Sequence, residues 1–158
     1  VLAGYVVCRI KKEKVWQYFD LIAPAIALAQ GFGRIGCLLA GCCYGKETDS
    51  PLSITFHTSD FAPNDVALIP TQIYSSILDF LNCIVLCLIA RYAKKERTVS
   101  GCYLIFYSTG RFILEFFRGD LERGSVGVLS TSQFISIFIF VIGAAILFTG
   151  KKKALVMK

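Results

Sequence analysis

The sequence predicts an all-α polytopic membrane protein: four full transmembrane helices, the end of one more, and two outer loops. Three observations lead there. Hydrophobic residues make up 55% of the chain, mean hydropathy is +0.62, and the 13 Phe exceed what a soluble core of this size needs. Apolar stretches near the bilayer-spanning length of about 20 residues recur along the chain. The basic residues also cluster, four each at 9–14, 91–97 and 151–158, so that twelve of the 17 Lys and Arg mark every second end of the hydrophobic segments. That is the positive-inside pattern, with contact to anionic membrane lipids. It accounts for the net charge of +6 without nucleic acid as a partner. The 158 residues suit a single transmembrane domain over 1–158.

Taken in order, residues 1–10 read as the end of a membrane helix stopped by the cytoplasmic basic run 9–14. Val1 opens inside an apolar run with no initiator Met, which predicts missing N-terminal residues rather than a signal peptide. A helix over 15–32 follows, with Trp16 and Tyr18 as interfacial anchors and Pro24 as a kink. Residues 33–68 read as an outer loop, glycine-rich at first and then carrying Pro51, Pro63, Glu47, Asp49, Asp60 and Asp65. Within it, 52–57 alternates as a short strand would. Pro70 opens a helix reaching residue 90. The chain returns outward over 100–117, forms a second outer loop over 118–130 with Asp120, Glu122 and Arg123, and ends in a helix over 131–148 that leaves the C-terminus cytoplasmic.

The helix over 100–117 carries the strongest functional signal. Tyr107, Arg111, Glu115 and Arg118 stand at i, i+4, i+8 and i+11, on one stripe of a 3.6-residue period. Ionised groups at bilayer depth cost roughly 2.5–3.5 kcal/mol each and tend to face a protein-lined cavity. The competing reading is an Arg111–Glu115 pair that locks two helices while Arg118 snorkels to the headgroups.

A second stretch, 33–46, places glycines at 33, 36, 41 and 45 around Arg34. Tight turns and close approach of backbone to a ligand suit Gly33, Gly36 and Gly45, and Arg34 suits a bidentate grip on a phosphate. Small-residue helix packing with a snorkelling Arg34 explains the same spacing equally well. In a third stretch, 69–74, Gln72 and Tyr74 lie where they could hydrogen-bond a headgroup, or where Tyr74 is an aromatic-belt residue.

Cys8, Cys83, Cys87 and Cys102 fall in apolar runs and read as small hydrophobes. Cys37, Cys42 and Cys43, with His57, invite a metal reading, but no Cys-x-x-Cys clip is present. A disulfide and simple packing are the other readings, and packing is the expectation, with no metal and no cofactor.

Together the three stretches resemble bacterial prolipoprotein diacylglyceryl transferases. That family's pattern is Gly-Arg-x-Gly-Asn followed by Asn-Gly-Glu and a Gly, then His-Pro-x-Gln-x-Tyr-Glu, then Tyr-x-x-x-Arg-Phe-x-x-Glu-x-x-Arg. Gly33, Arg34, Gly36, Gly41 and Gly45 match the first part; Pro70, Gln72 and Tyr74 match the second; Tyr107, Arg111, Phe112, Glu115 and Arg118 match the third. Gln133 resembles the Ser-Gln entry to the family's last helix. The chain departs from the pattern at Cys37 for Asn, Cys42 for Glu, Ile69 for His and Ser75 for Glu. The family's upstream His-Gly-Gly segment would precede Val1, making this the C-terminal portion of a longer domain.

The resemblance implies transfer of the diacylglyceryl group of phosphatidylglycerol to the lipobox cysteine of a preprolipoprotein. It implies a bacterial plasma (inner) membrane location and three partners: phosphatidylglycerol, the lipobox peptide and membrane lipids. Arg34, Arg111 and Glu115 would be catalytic, with Gly33, Gly36, Gly45, Gln72, Tyr74, Tyr107 and Arg118 binding substrate. A paralogue acting on another thiol or lipid, or a lipid-binding membrane protein without catalysis, fits the same residues. A small transporter would also carry intramembrane charge, but the sequence shows no inverted repeat.

Overall fold

A computed structural model describes residues 2–11, 14–119, 125–126 and 129–150. The expectations for Asp120, Glu122, Arg123 and the lysines beyond 150 lie outside the described residues. Helices dominate: α1 Leu2–Ile10, α2 Val15–Ala40, α3 Thr71–Tyr92, α4 Thr98–Glu115 and α5 Thr131–Phe148. Two small antiparallel ladders join them, β1 Ile54–Thr55 with β2 Ala67–Leu68 and β3 Ser125–Val126 with β4 Leu129–Ser130.

By length and composition α2, α3 and α5 can cross a membrane. The 9-residue α1 is too short for that, and the polar stripe of α4 leaves its 18 residues less apolar. The burial pattern suits a lipid solvent. Leu81, Phe138, Val141 and Ile142 are exposed, whereas Gln72, Ser76, Asp79, Asn82, Ser108 and Ser136 are buried between helices. In water that distribution would be inverted; in lipid the apolar faces meet acyl chains and the polar groups find partners inside the bundle. Ser76 Oγ, for instance, donates to the Gly31 carbonyl at 3.0 Å and ties α3 to α2. Ala23, Ala27, Leu86 and Val99 form the small apolar core where α2, α3 and α4 meet.

At the basic end of the bundle, Asp20 of α2 acts as the missing cap of α4. Its carboxylate accepts from the Arg97 and Ser100 backbone N–H groups at 2.8 and 2.9 Å and from Ser100 Oγ at 2.7 Å. A carboxylate suits the positive pole of a helix N-terminus. Arg97, held at a φ of 71°, stacks its guanidinium over Trp16 and reaches Thr149 beyond α5. Trp16 therefore serves this weld as well as any interface.

At the opposite end the first correction appears. α2 runs through Pro24 and past Gly33 to Ala40, so Gly33, Arg34 and Gly36 are helical and not loop. Glycine is tolerated in an apolar helix whose surroundings offer no water to compete for its backbone bonds. The helix stops instead at Gly41, whose φ of 69° and the bond from Cys42 N–H to the Cys37 carbonyl make a Schellman turn. The alternating run 52–57 supplies only the short β1. Pro70 sits just before α3 rather than in its first turn.

Candidate functional site

Three backbone hydrogen bonds build this end. Gly45 bridges to Arg118, its N–H donating to the Ile69 carbonyl, while Lys46 N–H donates to Phe117 and Gly119 N–H to Tyr44. A Cβ on Gly45 would lie 2.6 Å from the Ile69 carbonyl oxygen, so only glycine fits the channel between Ile69 and Phe117. Gly45 thus approaches protein backbone closely. The result is that Arg118, just past the end of α4, is folded inward and 7% exposed. It does not snorkel outward.

Glu115 lies at the centre of the charged group. Arg111 Nη2 is 3.4 Å and Arg118 Nε 3.9 Å from its Oε2, and Ser130 Oγ donates to its Oε1 at 3.0 Å. Arg111 Nη2 also donates to Ser132 Oγ at 3.1 Å. The Arg111–Glu115 pair therefore does help join α4 to the start of α5. A capping box between Ser130 and Gln133 holds both serines in position. Glu115 Oε2 is buried and accepts no aligned hydrogen bond, although two guanidiniums stand near it.

A crevice of about 240 Å³ opens beside this group between α2, α3 and α4. Its lining combines polar side chains, among them Arg34, Asp79, Asn82, Tyr107 and Arg111, with apolar ones such as Leu81, Val85 and Phe106. Adjoining it, a recess of about 10 Å³ is bounded by Arg34, Cys43, Gln72, Arg111 and Arg118, room for about one water. Arg34, Arg111 and Arg118 thus converge from two helices and the end of one of them. Guanidiniums in a desolvated site suit a phosphate, which they bind with paired N–H donors.

Gln72 is 1% exposed, donates Nε2 to the Cys42 carbonyl at 2.8 Å, and leaves Oε1 buried without a partner at the recess. Tyr107 lines the crevice and stacks on Tyr103, with centroids 5.9 Å apart. Tyr74 is 36% exposed and lines neither space. Gly33 and Gly36 face open space where a Cβ would sit. The structure therefore brings Arg34, Gln72, Tyr107, Arg111, Glu115 and Arg118 together, but not Tyr74, Gly33 or Gly36. Asp79 and Asn82 lie outside the three motif stretches; polar side chains inside an otherwise apolar helix are their signal in the sequence.

Cys37, Cys42 and Cys43 gather beside the recess, their sulfurs all within 4.8 Å of one another. Burial pushes the Cys42 thiol up to about 11, and the two neighbouring cysteines add to the shift. His57 is elsewhere, exposed and within 2.7 Å of Asp65.

The family model for prolipoprotein diacylglyceryl transferase matches residues 1–149. The phosphatidylglycerol–prolipoprotein diacylglyceryl transferase of Clostridium tetani is 54% identical over 142 residues, which is 90% of this chain and 57% of that protein. Transferase 2 of the same name from Clostridium perfringens is 53% identical over 141 residues, 89% of this chain and 55% of that one. The Campylobacter lari transferase is 32% identical over 146 residues, 90% of this chain and 51% of that protein. The chain spans a little over half the length of the curated relatives it matches. On the matched residues and these identities, the chain belongs to the prolipoprotein diacylglyceryl transferase family.

Proposed function

We propose that the protein transfers the diacylglyceryl group of phosphatidylglycerol to the lipobox cysteine of a prolipoprotein. One observation carries this reading: Arg34 and Arg111 line both a crevice of mixed polar and apolar side chains and the recess beside it, where Arg118 joins them, and the helices around it expose apolar side chains. A phospholipid needs both kinds of lining, charged donors for its phosphate and apolar side chains for glyceryl and acyl carbon. The relatives' names supply the reaction.

In that reaction the acceptor thiolate attacks the glyceryl carbon that carries the phosphate ester. A C–S bond forms, the C–O bond breaks, and its electron pair leaves on glycerol phosphate. The arginine forks stabilise that departing charge. Glu115 holds Arg111 and Arg118 in place and keeps Oε2 facing them. The thiol must lose its proton to react. Asp79, one turn beyond Ser75 on α3 and lining the same crevice, is placed to take it. A carboxylate at Asp79 thus stands near where the family pattern has Glu and this chain has Ser75. Gln72 and Tyr107 complete the headgroup wall; Gly45 acts through the position of Arg118.

Topologically, α4 makes a fourth full span beside α2, α3 and α5, its charged stripe turned inward, and α1 ends another. The basic end is cytoplasmic, and so is the C-terminus, in the plasma membrane of a bacterium. The test uses the full-length gene product in vesicles of phosphatidylglycerol with a lipobox peptide. Mass spectrometry is expected to find a gain of one diacylglyceryl group on the peptide cysteine, with glycerol phosphate released one for one. Lipid retention without any such gain would make the protein a lipid binder and overturn the proposal.

A further inference from the structure

We propose that Cys37, Cys42 and Cys43 form a binding site for a thiophilic d10 cation, zinc(II) in the first instance. The backbone brings the three together. A Schellman turn places the residue after its left-handed glycine against the residue five before it, here Cys42 against Cys37. Cys43, the next residue, also takes a left-handed φ, of 60°. The three sulfurs end within 4.8 Å of one another. Zn–S bonds of about 2.3 Å require sulfurs roughly 3.8–4.0 Å apart, so rotation about the side-chain bonds closes the remaining gap.

The turn is held from outside the cluster. Thr71 Oγ1 donates to the Cys43 carbonyl and Gln72 Nε2 to the Cys42 carbonyl, each at 2.8 Å. An ion therefore meets a framework already set by α3. The three residues are half-buried, which leaves a path for entry. Binding exchanges three S–H protons for one zinc and leaves a singly negative centre, beside the Arg34 and Arg118 guanidiniums that share the recess with Cys43. Three protein ligands leave the fourth zinc position open for water or an outside thiol.

Packing as small hydrophobes is the competing account, and Cys83 and Cys87 illustrate it: two thiols one turn apart on α3, with no third sulfur beside them. A disulfide within the cluster is the other competitor, and it removes two of the three ligands. The site does not depend on the lipid chemistry. Bound zinc would stiffen the turn carrying the carbonyl that Gln72 holds.

The experiment is zinc titration of the full-length gene product, reduced and stripped by chelator in detergent, against a chromophoric chelator. Cadmium serves as a second probe through its sulfur-to-metal charge-transfer band. One zinc per chain is expected, with release of about three protons at neutral pH. Affinity is expected to fall at least tenfold in Cys37→Ser and in Cys42→Ser, and to be unchanged in Cys83→Ser. To separate loss of the site from loss of the fold in a serine variant, thermal midpoints are compared before and after stripping, and zinc is expected to raise only that of proteins with all three thiols. No zinc uptake by folded, reduced wild type would overturn the site. So would uptake that survives both serine changes, or a cluster that stays disulfide-bonded under reductant.

Discussion

Arg111 and Glu115, one turn apart on α4 and 3.4 Å apart at their charged ends, are each fastened to a different serine at the start of α5. Ser132 holds the guanidinium and Ser130 the carboxylate. One pair therefore does two jobs: it joins α4 to α5 and it presents a guanidinium to the crevice. The helix-joining part of the packing reading and the lining position of Arg111 therefore coexist, because a buried ion pair is tolerated only where further hydrogen bonds complete it.

Glu115→Gln keeps the size of the side chain and a carbonyl oxygen for Ser130, but removes the charge shared by Arg111 and Arg118. Transfer is expected to fall by about 100-fold, the scale for one misplaced donor at a developing charge. Initial rates in vesicles measure it, with a thermal midpoint alongside to separate chemistry from folding.

Arg34→Lys preserves the charge and loses the fork. If Arg34 grips phosphate with paired N–H groups, kcat/KM is expected to drop tenfold or more. A change within twofold would assign Arg34 to headgroup snorkelling.

Asp79→Asn tests the proton acceptor. Turnover is expected to fall steeply near neutral pH and to recover as pH rises and the acceptor thiol ionises in solution. Equal loss at every pH would make Asp79 a structural partner of Arg34 and Arg111.

Asp20→Ala, at the basic end, leaves a half-buried and a buried N–H donor at the start of α4 without their acceptor. A cost of about 2 kcal/mol or more follows from the lost cap and the unsatisfied donors. The thermal midpoint in detergent is expected to fall, while phosphatidylglycerol retention per folded molecule stays at the wild-type level.

Much of this was legible in the chain because membrane helices announce themselves by apolar length, and because a stripe of charge inside one has few bland explanations. The stripe at Tyr107, Arg111, Glu115 and Arg118 was readable for that reason. The end of α2 was not, since Gly33 and Gly36 look like turn residues and only the left-handed Gly41 stops the helix. Nor was the role of Gly45, whose partners Ile69 and Arg118 are distant in sequence. Asp79 belongs to no motif stretch, and only its helix position, one turn from Ser75, ties it to one. Tyr74 sits on the half-exposed face of α3, a side that the motif alone does not determine. The cysteine cluster lacked the spacing of a metal clip; the Schellman turn supplies by backbone geometry what the spacing does not.

The most direct measurement compares the full-length wild type with its Arg111→Ala variant in phosphatidylglycerol vesicles, reading peptide diacylglyceryl transfer by mass spectrometry and bound lipid by native mass spectrometry. The account predicts that the variant remains folded in the membrane, retains less phosphatidylglycerol and shows no detectable transfer. Full transfer by Arg111→Ala would contradict it and remove the α4 stripe from the site.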